Sequence, residues 1–544
     1  RPRRGREMIT LLALRLRRDA VQLALWIVGA AVLALLSVVG IASSYGTEQN
    51  RADLLATAIA NPVVLLFRGL PSGAGEGAFA AFLILPFIAL LAAFMSVFLA
   101  VRHTRADEEA GRAELLGATG AGRMLPLAAT ALHGLLANVV LAALVAGSLA
   151  ATGLPVDGSL VTGAASGATG LVFLGVGLVA AQVLPTPRAA NSAAVWLLMA
   201  TFVLAGVGNA LGTPSADLQS VESSGLTWAS PFGWAENTRP FADDSVLPVL
   251  LCLAVGVALV AIAAVLQAGR DVGASLVPER RGRSDARALL ATPTALVWRL
   301  TWPAVVGWAV GGLLTGLLAT TLSGVLQDAA SQPPSVQAVI DALSAGGSLA
   351  QGAVVIFFTM LGILAACCAV QVVSRARHEE ARGTAEPVLA AAVTRMRWLA
   401  GYVVVAVVGI LAVIAAAVAG AALGLAGQSD PDWSLMGDVL VTAGGQVMAA
   451  SVFLALTALV FVVAPRLTVP VGWALVLVGT VLGLFGGLFG FPDWLVDLSP
   501  VAASPTVGAD GVELRGLGWL VVAALAGCAA SFALMRRRES APGE

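Results

Sequence analysis

The chain has no lysine: all 31 basic residues among its 544 are arginine. A phosphate-binding loop for ATP needs a lysine that reaches the outer phosphates, so the chain holds no such loop. Schiff-base chemistry on lysine is excluded as well. Charge of either sign is scarce. Only 12% of residues are charged, with a net charge of −1, whereas 58% are hydrophobic and mean hydropathy is +0.90. Soluble domains carry about a quarter charged residues, so a soluble enzyme, a disordered regulator and a nucleic-acid binder are all set aside. Cysteine and histidine are rare too. Cys252, Cys367, Cys368 and Cys528 lie in apolar runs without CxxC spacing, and His103, His133 and His378 are scattered. Neither a disulfide framework nor a metal site is expected from such a set.

What the sequence has in abundance is long apolar runs. A bilayer-spanning helix needs about 20 mostly apolar residues. Twelve stretches qualify, near residues 20–43, 78–101, 125–152, 158–184, 192–212, 246–268, 302–326, 350–373, 398–426, 437–464, 469–491 and 516–535. The first is too long for a signal-peptide core and lacks a distinct cleavage pattern. An even number of spans puts both termini on one side. That side holds every arginine except Arg51, Arg68, Arg239 and Arg515, so the positive-inside rule places the termini in the cytoplasm. The expected location is a bacterial plasma membrane. Carboxylates avoid the spans: Asp19 and Asp438 lie near predicted span ends, where water or headgroups reach them. An ion-driven carrier usually keeps an ionisable residue within the membrane, and no clear candidate is visible.

The chain repeats itself once. Leu14-Arg15-Leu16 precedes span one and Trp298-Arg299-Leu300 precedes span seven. RADEEAGRAELL (105–116) follows span two, and RHEEARGTAEPVL (377–389) follows span eight. The two align without a gap: Arg105 on Arg377, Asp107 on Glu379, Glu108 on Glu380, Gly111 on Gly383, Glu114 on Glu386, then Arg123 on Arg395. Pro187-Arg188 matches Pro465-Arg466, and Ser230-Pro231 matches Ser499-Pro500. The expected fold is therefore an all-α polytopic membrane protein of two parallel six-helix repeats, 1–268 and 294–544. A polar, arginine-rich cytoplasmic linker, 269–293, joins them.

The paired loops carry the strongest functional signal. On a continuous helix Glu108 and Arg112 form a favourable i,i+4 pair. Charges capping a helix end at the membrane would account for the arginines. They do not account for acids recurring at matching positions, because acids contribute little to topology. One short charged helix per half suits the docking of a two-fold symmetric partner.

These loops resemble the cytoplasmic coupling helix of ABC-2-type transporter permeases. The whole chain, from about Leu11 to Arg538, resembles the fused twelve-span polyketide-antibiotic exporters of the tetronasin type. The most specific stretches are RHTRADEEAGRAELL (102–116), SPFGWAENTRPFADD (230–244), AGRDVGASLVPER (268–280) and APRLTVPVGWALV (464–476). The second loop departs from the pattern at Arg382 and Pro387. The resemblance implies a permease without an enzymatic site of its own. It would be powered by a separately encoded ATPase, two copies per chain, that carries ATP and magnesium. By position, the residues transmitting force would be Arg105, Asp107, Glu108, Gly111, Glu114 and Arg123, with Arg377, Glu379, Glu380, Gly383, Glu386 and Arg395.

In that fold class the second and fifth spans of each half line the central cavity. Phe87, Phe94 and Phe98 of span two, Phe357 and Phe358 of span eight, and Phe485 and Phe489 of span eleven would then face a lipophilic small molecule. Helix packing beside small residues accounts for the same phenylalanines. Outside, residues 44–77 read as an interfacial or re-entrant helix broken at Pro62, or as a connector on the headgroups. Residues 327–349 are its counterpart. Two rival functions use the same spans: an ion-gradient-driven drug antiporter, and a non-transporting sensor of antibiotics.

Overall fold

A computed structural model describes residues 2–60, 62–118, 122–271, 273–278, 292–329, 349–391, 393–428, 431–485, 492–508, 511–514 and 516–538. Twelve of its helices are long and apolar enough to cross a membrane, and each coincides with one of the stretches read from the sequence. The chain is an all-α polytopic membrane protein. Helices dominate because a backbone in lipid must satisfy its own polar groups. Among the described residues the paired strands form two small hairpins, β1 (Thr213–Pro214) with β2 (Val221–Glu222), and β3 (Thr506–Gly508) with β4 (Gly511–Glu513).

The chain divides into two compact units, Arg1–Gly282 and Arg283–Glu544, the division falling inside the stretch read as a linker. The first unit contains α1 (Pro2–Ser44), α2 (Glu48–Ala60), α3 (Pro62–Phe67), α4 (Glu76–Arg102), α5 (Arg105–Glu109) and α6 (Arg112–Ala118). It continues with α7 (Leu125–Ala151), α8 (Val156–Val183), α9 (Pro187–Ala210), α10 (Pro231–Glu236) and α11 (Leu247–Gly269). Its centre is α8, which packs against α4, α7 and α11. Small residues permit this. A side chain at Gly163 would strike the Ala142 carbonyl, and one at Gly170 the Asn138 amide, both on α7. Without a hydrophobic drive between helices in lipid, such close approach supplies the packing.

The second unit contains α12 (Pro293–Ala329), α13 (Leu349–Ala381), α14 (Glu386–Ala390), α15 (Arg395–Ala426), α16 (Leu435–Val463), α17 (Thr468–Phe485), α18 (Asp493–Val496) and α19 (Leu517–Met535). Here α16 packs against α13, α17 and α19, and α12 against α15.

Matching sequence motifs make matching contacts in the two units. Ser230 caps α10 through its hydroxyl, which accepts from Phe232 N, and donates to the Thr201 carbonyl of α9 at 2.7 Å. Ser499 donates to the Gly479 carbonyl of α17 at 2.8 Å. Each serine thus ties the segment before the last span to the fifth span of its own unit.

The segment broken at Pro62 is helical on both sides. It is no loose connector: Leu55 and Leu65 are buried, and α3 comes so close to α9 that a side chain at Gly206 would meet the Leu66 carbonyl. Its counterpart, 327–349, falls almost wholly outside the described residues.

Candidate functional site: the paired charged loops

In the first unit α4 ends at Arg102, and α5 starts three residues later at Arg105. That short helix stops at Glu109 because Gly111 takes a left-handed φ of +70°. Glycine adopts this conformation without the cost a Cβ would add, and it commonly ends helices in this way. In the second unit α13 runs unbroken to Ala381, and Gly383 makes the same turn with φ +72°. The repeated glycine is therefore a turn requirement present in both loops.

The turn changes the expected pairing. Arg112 does not reach Glu108, because the helix has ended between them. Its Nε donates to Asp107 Oδ1 at 2.7 Å instead. Glu108 accepts from Arg105 Nη1 at 2.8 Å and from Arg270 Nη1 at 3.0 Å, Arg270 being the first residue after α11. Arg270 Nε also donates to Gln182 on α8 at 2.6 Å, and Arg105 Nε to the Pro185 carbonyl at 2.8 Å. The charged loop is thus clamped to the ends of α8 and α11.

The second unit has the same clamp. Arg538, just beyond α19, donates to both Glu380 oxygens, at 2.8 and 2.6 Å. Arg377 lies 3.9 Å from Glu380 and mirrors Arg105. Arg538 also sits 4.6 Å over the ring of Phe461. Glu379 accepts from Arg375 Nε at 2.8 Å and from Thr384 Oγ1 at 2.6 Å. Arg395 donates to the Arg538 carbonyl. Arg270 and Arg538 were missed as partners by sequence reasoning. Their signal was an arginine within three residues of the end of the sixth span of each half.

The predicted residues therefore fall into two sets. Arg105, Asp107, Glu108, Glu379 and Glu380 are occupied inside the protein. Glu114, Glu386 and Arg123 are exposed, as is Leu115 at 71%. A cavity of about 200 Å³ lies behind the first loop, bordered by Arg15, His103, Asp107, Glu108, Arg123 and Arg270.

The phenylalanines are less uniform. Phe94 and Phe98 stack at 5.8 Å, half-buried against a cluster containing Leu198 and Phe232, and Phe98 also meets Trp26 of α1. Phe87 and Phe357 are half-buried. Phe358 is fully buried in the core of the second unit, so in this conformation it faces neighbouring helices and no open space. The Phe485 side chain and all of Phe489 lie outside the described residues.

Two features correct the reading of the ionisable groups. Asp19 is level with the end of α4 but buried, 3% exposed, and hydrogen-bonded to His103. Its expected contact with water or headgroups is blocked by α4 and α7. His103 and His133, distant in sequence, have ring centroids 5.3 Å apart beside it. On the far side of the unit, Glu236 at the end of α10 is 4% exposed and accepts from Asn209 Nδ2 at 2.5 Å. Burial pushes its carboxyl up to about 8, against the opposing effect of the Asn209 bond. The sequence hid Glu236 because it sits in a short segment between spans, SPFGWAE, outside the long apolar runs.

The fold and loops define a polytopic permease-like membrane protein. Residues 9–266 and 290–536 match the family described as "Multidrug efflux system permease Rv1217c, C-terminal domain". The chain belongs to that family. It is 36% identical over 515 residues to the multidrug efflux system permease protein Rv1217c of Mycobacterium tuberculosis (strain ATCC 25618 / H37Rv), covering 94% of this chain and 91% of that one. A solved inward-facing multidrug resistance MATE family transporter of the MOP superfamily aligns over 94% of the chain at 15% identity, with a TM-score of 0.35. A likeness that low carries no argument.

Proposed function

We propose that the chain is the transmembrane permease subunit of an ATP-binding-cassette exporter of the ABC-2, tetronasin-export type. It moves lipophilic drugs or antibiotics out of a bacterial cell across the plasma membrane. A separately encoded ATPase, two copies per permease chain, binds ATP and magnesium and supplies the energy. The termini and both charged loops face the cytoplasm. Each loop acts as a coupling helix, and the two six-helix halves are parallel repeats that alternate access between them.

The observation that carries this reading is the clamp repeated in both units. Glu108–Arg270 ties the first charged loop, and Glu380–Arg538 the end of α13 from which the second loop leaves, to the residues that follow the last span of each unit. A push on either loop is thereby delivered to a membrane helix. The exposed Glu114, Leu115 and Glu386 are the groups offered to a partner, while the buried acids hold the loop's shape. Membership of a multidrug efflux family supports the cargo class. The half-buried Phe94 and Phe98 are candidate cargo contacts. Co-expression of the chain with its ATPase in inverted vesicles tests the proposal: drug uptake requires ATP and is abolished by a catalytically dead ATPase.

Buried Glu236 favours one alternative, an ion-gradient-driven drug antiporter, because a carboxyl held neutral by burial can take and release a proton. That reading predicts transport dependent on a pH gradient without any second gene, and its loss in Glu236→Gln.

A further inference from the structure

We propose that Asp19, His103 and His133 form a binding site for a divalent transition-metal ion of the zinc class, in the first unit behind its charged loop. One ligating atom from each residue lies within 4.8 Å of the others, and all three residues are buried. Asp19 comes from α1, His103 from the end of α4 and His133 from α7. Asp19 Oδ2 faces His103 Nε2 and lies 4.0 Å from His133 Nδ1.

The independent sign of a ligand is His133. Its side chain is wholly buried, yet neither ring nitrogen has a hydrogen-bond partner among the described residues. A buried polar group left unsatisfied costs about 1–3 kcal/mol, and such orphans in native proteins point to a missing water or ion. Two imidazoles and a carboxylate are a zinc-type donor set.

The surroundings supply what metal ligands need behind them. Arg102 lies 3.2 Å from Asp19 Oδ1, and it is the other oxygen, Oδ2, that contacts the two rings. Asp107 Oδ2 lies 3.7 Å from His103 Nδ1, beyond hydrogen-bond distance in this conformation but close enough to become its partner once the ring takes up an ion. Arg15 is engaged by the Pro126 carbonyl, the His103 carbonyl and Thr130 Oγ1. His103, alone of the three ligands, borders the 200 Å³ cavity, together with Asp107, so an ion could approach from that side. The aligned positions in the second half are Arg375 and Val405, so the site belongs to the first unit. A bound ion would staple α1, α4 and α7 together directly behind α5. It would stiffen the first charged loop and leave the second as it is.

The full chain, purified in detergent without a histidine tag and stripped with chelator, is titrated with Co²⁺ and Zn²⁺. One equivalent per chain is expected, with the visible absorption of low-coordinate cobalt displaced by zinc. His133→Asn and Asp19→Asn should weaken binding at least tenfold, and His378→Ala should not. X-ray absorption on the zinc-loaded wild-type chain should count two imidazoles, a readout that does not rest on any variant folding. Absence of binding at micromolar metal, unchanged affinity in His133→Asn, or fewer than two imidazoles on the wild-type ion would each overturn the proposal.

Discussion

Glu108 and Arg270, 162 residues apart, are joined by two charge-assisted hydrogen bonds, and Glu380 and Arg538, 158 residues apart, repeat the arrangement in the second unit. In each pair an acid at or just beyond the end of the unit's second span holds an arginine one to three residues beyond its sixth. The side chains are 5–13% exposed. Removing one partner of a buried pair strands the other charge, at a cost of roughly 3–5 kcal/mol.

Arg270→Ala should therefore lower the thermal stability of the detergent-solubilised chain markedly. Reversal of the exposed Arg123 to Glu should change it little. Melting followed by fluorescence-detected size exclusion measures both, and equal melting temperatures for the two variants would contradict the clamp.

The loop glycines make a second prediction. Gly111→Ala and Gly383→Ala force a Cβ into a left-handed backbone, at about 1–2 kcal/mol each. Gly117, exposed with open space around it, sets the control. Drug-stimulated ATPase activity of the reconstituted complex should drop in the first two variants and hold in Gly117→Ala.

A third concerns the exposed face. Glu114→Arg combined with Leu115→Asp leaves the internal ion pairs intact, because neither side chain enters them. The variant should fold with the wild-type melting temperature yet lose the ATPase during purification. Retention of the ATPase would show that docking uses another surface.

A fourth follows from Glu236. Its folded-state value of about 8 lies above the ordinary carboxyl value of 4.5, so the folded state binds the proton more tightly than the unfolded chain. That stabilisation is complete below about pH 4.5 and is lost as pH rises to about 8. Melting temperature should decline over this window and level off above it, and Glu236→Gln should flatten the decline. A flat wild-type profile would refute the buried neutral carboxyl.

The spans were legible because a run of 20 apolar residues has few other uses, and the helices α4, α8 and α16 coincide with theirs. The charged loops were legible as loops, since their acids recur where topology does not require them. Their pairing was not. The i,i+4 rule joins Glu108 to Arg112 on an unbroken helix, but Gly111 ends the helix and hands Arg112 to Asp107. Arg270 and Arg538 escaped notice because long-range partners leave no periodic trace. The same holds for His103 and His133, separated in sequence and brought together by two packed helices with Asp19. Glu236 looked like an ordinary loop acid because its burial arises from α9 and α10 folding back on each other.

The central claim is that the paired loops couple this permease to an ATPase. Gentle purification of the chain from its native membranes tests it most directly. The account predicts recovery of an ATP-hydrolysing subunit at two copies per chain, lost when Glu114 and Leu115 are changed. Recovery of the chain alone, active in drug transport driven by a pH gradient, would contradict it.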